Sequence, residues 1–374
     1  MNMITKYLSI ALALMLCVGC KNADVYQDVI FFTGTESSNT VNVSVEDDTS
    51  IGVSISSSCE VESDVNIEVG AGSSSLVNEY NKKMQTAYKV LPPDCYELES
   101  SNFCIEKGNF ISSPVMINIC NIDKMEDEVT YLLPLTIVNT SSLSVLEASK
   151  TLYLVVSRPI ITSAPKITSK YFEVPFSRDP NLSALSQVTL EARVKVNSFQ
   201  GSNPYISTVM GIEGHFLLRF GDVAIEKDQI QLAGKGLETT APTPFAPNRW
   251  YHVAAVYDGS TVKIYINGKL DVSKAAAGGS INLGDSRVFY IGRSSGSRYL
   301  DGFISEARVW AKALTPKEIQ NNMCTVDPKS NGLIAYWRFN EGTGNMIKDW
   351  TGHGWDIESH GSLTWVEGVR CPEE

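Results

Sequence analysis

Two glycine turns inside one strand-forming stretch constrain this chain more than any other feature. Residues 250–272 read WYHVAAVYDGSTVKIYINGKLDV. Trp250–Tyr257, Thr261–Ile266 and Lys269–Val272 are separated by Asp258-Gly259 and Asn267-Gly268. Both dipeptides favour tight hairpin turns, because glycine takes positive φ without a Cβ clash. The stretch therefore reads as a three-stranded antiparallel meander. Further on, YLDGFISEARVWAKALTPKEIQNNM carries a helix start. Thr315 caps at the Glu318 N–H, Glu318 reaches back, and Pro316 occupies the first helical position, where its missing N–H is not needed. GLIAYWRFNEGTGNMIKDWTGHG then sets an aromatic strand before a glycine-rich loop.

Taken together, WYHVAAVYDGSTVKIYINGK, DGFISEARVWAKALTPKEI, YWRFNEGTG and DWTGHG resemble the laminin G-like, concanavalin A-like jelly-roll family. That resemblance spans residues 169–374 and implies two antiparallel sheets packed face to face. It departs from the common family pattern at Ser305, where an Asp is usual. It also implies that Trp250, Trp310 and Trp337 are core residues.

The N-terminus reads MNMITKYLSIALALMLCVGC. Lys6 precedes an apolar run, Leu8–Val18, that is too short to span a bilayer. With Gly19 before Cys20, the segment resembles a bacterial lipobox, which implies a signal peptide over 1–19 and acylation of Cys20. Cys17 would put bulky Leu16 at the cleavage position, so Cys20 is the expected acceptor. Two or three acyl chains would hold the protein to a membrane at about 0.8 kcal/mol per buried CH₂. The following KNADVYQD resembles the signal that sends lipoproteins of Bacteroidota to the cell surface. The expected location is the outer membrane, facing outward.

The formal charge of -11 is unevenly distributed. Cys20–Ser157 carries 20 Asp and Glu against 7 Lys and Arg, whereas Arg158–Glu374 carries 22 against 23. This break predicts a domain over 20–157, a linker over 158–168 marked by Pro159 and Pro165, and a second domain over 169–374. The acidic balance also argues against a nucleic-acid partner.

In the first domain, Val61, Val65, Ile67 and Val69 alternate with Glu60, Glu62, Asp64 and Glu68, as in a strand with one face in water. Glu62, Asp64 and Glu68 are therefore read as solvated rather than as a glycosidase carboxylate set. Ser73–Ser75 precede Leu76, Val77, Tyr80 and Met84 at helical spacing, and VLPPDCYELESSNFCIEKG reads as a turn and hairpin. The run SLVNEYNKKMQTAYKVLPPDCYEL before YLLPLTIV resembles a domain of unknown function at the N-terminus of Bacteroidota surface lipoproteins. The resemblance implies a β-sandwich-like spacer without catalytic residues. The expected class for the whole chain is all-β with one or two short helices.

Six cysteines remain after Cys17 and Cys20, in a setting that permits disulfides. Cys324 and Cys371 are the two in the second domain and are expected to pair, contributing about 3 kcal/mol. Cys59, Cys95, Cys104 and Cys120 allow three connectivities, of which Cys95–Cys104 would close the hairpin; free thiols are the alternative.

No His spacing suits a metal, and neither a Gly-x-Ser-x-Gly elbow nor a phosphate loop occurs. Glu341 and Asp349 stand where related jelly rolls hold structural calcium, but no repeated acidic spacing demands the ion, and no cofactor is assigned. Sugar recognition uses flat aromatic faces completed by polar groups. The residues in loop-like segments that fit are Asn203, Tyr205, Arg298, Tyr299, Asp301, Trp350 and Trp355. The expected function is reversible binding of a glycan or glycoprotein, without bond cleavage, alongside other surface proteins of a glycan-utilisation system. A protein-binding adhesin or structural subunit is the alternative, and a glycoside hydrolase is a third.

Overall fold

The computed structural model describes residues 28–372 except Gln85 and Lys235. The signal segment and Cys20 lie outside the described residues. The chain divides into two compact units, Met1–Asn78 with Tyr88–Ser157, and Arg158–Glu374 with Glu79–Ala87. Both are built from strands. Among the described residues no helix is long and apolar enough to cross a membrane.

The first unit has a six-stranded sheet ordered Thr40–Ser44, Thr151–Ser157, Thr130–Thr140, Val65–Ala71 and Asn102–Ile105, with Lys89–Val90 added beside Thr130–Thr140. Two three-stranded sheets complete it. Val65, Ile67 and Val69 are buried while Asn66 and Glu68 are exposed, the period of two that a one-sided strand requires. Glu62 and Asp64 are also exposed. The helix runs over Ser74–Met84 and buries Val77 and Tyr80.

The hairpin expected between Cys95 and Cys104 does not form. Tyr96–Leu98 pairs with Val115–Ile119, whereas Asn102–Ile105 pairs with Val65–Ala71 in another sheet. Cys95 is buried in the core and Cys104 lies opposite Asn66, so the two thiols have no shared ladder to bring them together. Among the described residues of this unit the four cysteines, Cys59, Cys95, Cys104 and Cys120, are free.

The second unit is a two-sheet sandwich. The larger sheet is ordered Lys269–Ala275, Thr261–Ile266, Trp250–Tyr257, Val188–Ser198, Asp301–Trp310, Ile160–Lys166 and Thr364–Cys371, with Leu333–Trp337 also on Asp301–Trp310. The smaller is ordered Phe172–Val174, Phe289–Ile291, Ser207–Ile212, Phe216–Asp222, Ile225–Ala233 and Thr239–Thr240. Val188, Leu190, Ala192, Val194 and Val196 share one core with Phe172, Phe216, Leu218, Phe220 and Phe289 from the facing sheet. Each Val, Leu or Phe side chain among them contributes roughly 1.5–3 kcal/mol by leaving water. The expected meander forms, with Ala255 opposite Ile264 and Ile264 opposite Val272.

The segment expected to be a linker is a strand. Ile160–Lys166 pairs with Thr364–Cys371, Ile160 opposite Cys371 and Lys166 opposite Thr364. The register shifts between Thr162 and Ala164, just before Pro165, and such an irregularity is where a sheet accepts a proline.

The outer face of the larger sheet is closed by the helix Pro316–Asn321, whose capping box forms as expected. Ile319, Leu314 and Val326 cover Ala254, Val256, Trp310 and Tyr336. Beneath them lies a buried ionic network. Arg308 donates to Glu306 Oε2 at 2.6 Å and to the Asn322 carbonyl at 2.6 Å. Trp310 Nε1 donates to Glu191 at 2.6 Å, and His252 Nε2 lies 3.3 Å from the same carboxylate. Burial opposes ionisation of Glu191, but His252, Arg308 and Trp310 outweigh it and hold the carboxyl below its usual range. Burial holds the His252 imidazole below its usual range despite Glu191. Ser305 donates to the Arg338 carbonyl at 3.2 Å. The Cys324–Cys371 disulfide fastens the end of the last strand beside this helix.

Candidate functional site

The outer face of the smaller sheet is finished differently. Phe172 and Val174 point into the core from the edge strand, so Tyr171 and Glu173 face outward. Glu173 lies opposite Tyr290 on the neighbouring strand. Beyond that strand, Gly292 has φ 81°, and a Cβ there would come within 3.1 Å of the Lys170 carbonyl; only glycine lets the chain turn so close beneath Tyr171. The loop that follows carries Arg293 and Tyr299.

These side chains converge. Tyr171 lies 5.9 Å from Tyr290 and 6.2 Å from Tyr299, ring centre to ring centre. His360 stacks on Tyr171 at 4.2 Å and 1°. A bridge between Phe172 and Ser359 and a bond from His360 N–H to the Tyr171 carbonyl at 2.9 Å bring it there. The Arg293 guanidinium sits 4.3 Å from the Tyr171 ring centre and 5.7 Å from those of Tyr290 and Tyr299. Burial, then the Glu173 carboxylate, raises the Tyr290 hydroxyl above its usual range, so the ring keeps its proton and its donor at neutral pH.

The loop is fixed in advance of any ligand. Its base closes through Leu300 N–H to the Gly292 carbonyl at 2.9 Å. Ser294 and Thr208 share a hydroxyl bond of 2.9 Å, Arg298 pairs with Glu213 at 2.8 Å, and Gln200 donates to the Ser297 carbonyl at 3.4 Å. A platform held this way loses little side-chain and loop freedom on binding.

The residues singled out from the sequence fall into three groups. Tyr299 joins the aromatic cluster and Arg298 anchors its loop through Glu213. Tyr205 lies in the adjoining loop with Asn203, is 40% exposed at φ 60°, and lines a cavity of about 350 Å³ with Gln200, Asp222 and Lys227. Asp301 is a fastening group: it accepts from Thr168 and Ser198 at 2.5 Å each and from Asn197 at 3.4 Å. Burial opposes its ionisation, but these donors hold the carboxyl below its usual range.

The tryptophans are not part of this cluster. Trp355 is a correction: it is 7% exposed, its ring packs on Phe176 at 5.0 Å, and it belongs to the core. Trp350 is 40% exposed, with the Arg338 guanidinium 5.0 Å from its ring centre. Trp250, Trp310 and Trp337 are buried. Asp349 organises the glycine-rich loop, accepting from the N–H groups of Tyr336, Thr351 and Trp355 at 3.1–3.2 Å and from the Thr351 hydroxyl at 2.8 Å.

Sequence reasoning missed Tyr171, Tyr290, Arg293 and His360. Their only signal was an aromatic residue beside short strands, at positions far apart along the chain.

A second feature lies where the strand Ser207–Ile212 turns into Phe216–Asp222. His215 and Asp285 are 3.2 Å apart and line a cavity of about 300 Å³ with Tyr257, Leu237 and Asn282. Asp285 also lines a cavity of about 140 Å³ that reaches Glu173. Polar groups thus continue from the tyrosines along the sheet edge. Among the described residues no cluster of His, Cys, Asp and Glu has the geometry of a metal site.

Comparison with known proteins places this architecture. A family model described as the concanavalin A-like lectin/glucanases superfamily matches residues 168–320, and a model of an N-terminal domain matches residues 25–144. A solved structure from Bacteroides ovatus, designated a candidate carbohydrate-binding protein, is 30% identical. The match covers 91% of this chain and 97% of that one, with a TM-score of 0.58. A heptameric SAP-like pentraxin from Limulus polyphemus is 15% identical, covering 56% of this chain and 95% of that one, with a TM-score of 0.36. Mouse pappalysin-1 is 32% identical over 84 residues, which is 22% of this chain and 5% of the length of that curated relative.

Proposed function

Since this chain belongs to the family of the Bacteroides ovatus protein, with a concanavalin A-like lectin/glucanase domain in its C-terminal half, we propose that this domain binds a glycan reversibly at the tyrosine cluster. The observation that carries the reading is the grouping of Tyr171, Tyr290 and Tyr299 on a loop-braced outer edge of the smaller sheet. A pyranose presents apolar C–H faces to such rings, and its hydroxyls are met by tyrosine hydroxyls, Glu173 and His360. The Bacteroides ovatus relative, matched along nearly its full length, supports the same class of ligand.

The mechanism is recognition without bond cleavage. Hydrolysis needs two carboxyl groups facing one glycosidic bond, one of them protonated. At the cluster the carboxylates have other duties: Asp301 is held by three donors, Glu213 by Arg298, and Glu173 lies 3.7 Å from His360. The function we propose also includes acylation at Cys20, an outward-facing position on the outer membrane, and a spacer role for the first unit. Neighbouring proteins of a glycan-utilisation system would receive the captured chain.

Calorimetry of the full chain against a panel of polysaccharides and glycoprotein glycans tests the reading. At least one glycan should bind, and Tyr171→Ala should weaken it by about tenfold or more, given roughly 1–2 kcal/mol for a lost stacking face. Binding unaffected by Tyr171→Ala and Tyr290→Ala would overturn the site. Metabolic labelling with palmitate tests the anchor: label should enter the wild type and be absent from Cys20→Ala.

A further inference from the structure

We propose that the glycan taken by the tyrosine cluster is anionic, and that Arg293 reads its carboxylate or sulfate. This rests on the glycan reading above and names the ligand class.

The cluster contains an arginine with no counter-charge. Arg293 is half-buried, and its Nε atom is fully buried without a hydrogen-bond partner. Its contacts are the three tyrosine rings. Among the described residues, no carboxylate lies within ion-pair distance of it. Those nearby are turned to other partners: Glu173 toward His360, Glu213 to Arg298, and Asp301 to Thr168, Ser198 and Asn197. Stacking on rings satisfies the face of a guanidinium and leaves its in-plane N–H donors unfilled. Those donors form a fork that matches the two oxygens of a carboxylate or sulfate.

The surroundings add to the positive field. Lys170, one residue before Tyr171, packs over Gly361, where an added Cβ would sit 3.0 Å from its Nζ. His360 stands next to that glycine and stacks on Tyr171. Lys170 beside His360 and Arg293 over the Tyr171 ring thus place two cations at the cluster, with Glu173 on the same outward strand face opposite Tyr290. A neutral sugar would leave both cations without a counter-charge. A sugar bearing an acid group can stack its ring on a tyrosine and place its anion on the Arg293 fork.

The test uses the full chain and pairs of oligosaccharides that differ only in charge. Each of galacturonate and sialate oligosaccharides is set against its methyl ester, and a sulfated galactose oligosaccharide against its desulfated form. The charged member of at least one pair should bind roughly 30-fold or more tightly than its neutral twin, with the preference falling as salt rises. The pair that shows it separates carboxylate from sulfate. Arg293→Gln should erase the preference, and Arg293→Lys, which keeps charge and loses the fork, should retain part of it. Melting curves of both variants check that they fold.

Equal or tighter binding of the neutral member in every pair that binds would overturn the inference. So would a preference untouched by Arg293→Gln in the folded variant. If neutral members bind as tightly as their charged twins and Tyr171→Ala abolishes it, the anionic ligand is overturned while the glycan site stands. Binding of no member of any pair, when a neutral glycan of the wider panel binds, overturns the anionic ligand alone; no binding in either set overturns both.

Discussion

Each outer face of the C-terminal sandwich sets an arginine against aromatic rings, and the two arginines are treated in opposite ways. Arg308, over Tyr336 at 5.0 Å, is completely buried and bonded to Glu306 and to the Asn322 carbonyl. Arg293, over Tyr171 at 4.3 Å, is left half-buried with no carboxylate beside it. A buried guanidinium held between two carboxylates and a backbone carbonyl locks a helix to a sheet. One without a counter-charge at a surface of tyrosines is prepared for something arriving from solution. The lesson is that side-chain type does not separate structure from recognition; the presence or absence of a counter-charge does.

The comparison is broken most directly at Arg308. Arg308→Met removes the guanidinium between the buried Glu306 and Glu191, leaving them Arg338 and His252, and should cost about 3–5 kcal/mol, read from denaturant unfolding. A loss near zero would mean the closed face is not held by its charges. Replacing both Cys324 and Cys371 by Ser should cost about 3–4 kcal/mol, since the bridge spans 47 positions. A loss much below this would show that the helix and sheet hold the last strand unaided.

A pH titration of stability sharpens the contrast further. His252 is held neutral in the folded chain, whereas the unfolded chain takes up its proton below about pH 6.5. Stability should therefore fall as pH drops below that value, by up to about 1.4 kcal/mol per unit, until the folded imidazole also protonates. His252→Gln should flatten this slope between pH 6.5 and 5. Glu191 acts in the same direction lower down: its contribution is present above its ordinary value of 4.5 and is lost as pH falls through its depressed folded value.

The smallest effect on folding is expected at the open face. Arg293→Gln should change stability by less than about 1 kcal/mol while removing the binding preference. If it costs as much as Arg308→Met, the two faces are alike after all and Arg293 is a packing residue.

What could be read in advance follows how local the interactions are. The meander at 250–272 was legible because Asp258-Gly259 and Asn267-Gly268 fix its turns within a few residues. The helix after Thr315 was legible because its capping box closes over three positions. The hairpin that would have joined Cys95 to Cys104 was misread because each strand found a partner far away in sequence. Ile160–Lys166 was misread because two prolines resemble a hinge, and only the register with Thr364–Cys371 shows otherwise. The recognition cluster is the extreme case. Tyr171, Tyr290 and His360 meet only through the pairing of Glu173 with Tyr290 and of Phe172 with Ser359.

That misread strand also determines how the C-terminal half can be moved about as a cassette. Ile160–Lys166 is wedged between Asp301–Trp310 and Thr364–Cys371, so the opening and closing segments of the sandwich are hydrogen-bonded side by side. A transplant starting at Tyr171 would strip the ladder from Thr364–Cys371 and leave the disulfide as its main tether. Gene shuffling or protein engineering must therefore carry the piece from residue 160 onward. Because its two ends already meet, the same piece is a natural candidate for being re-threaded with new termini at a surface turn.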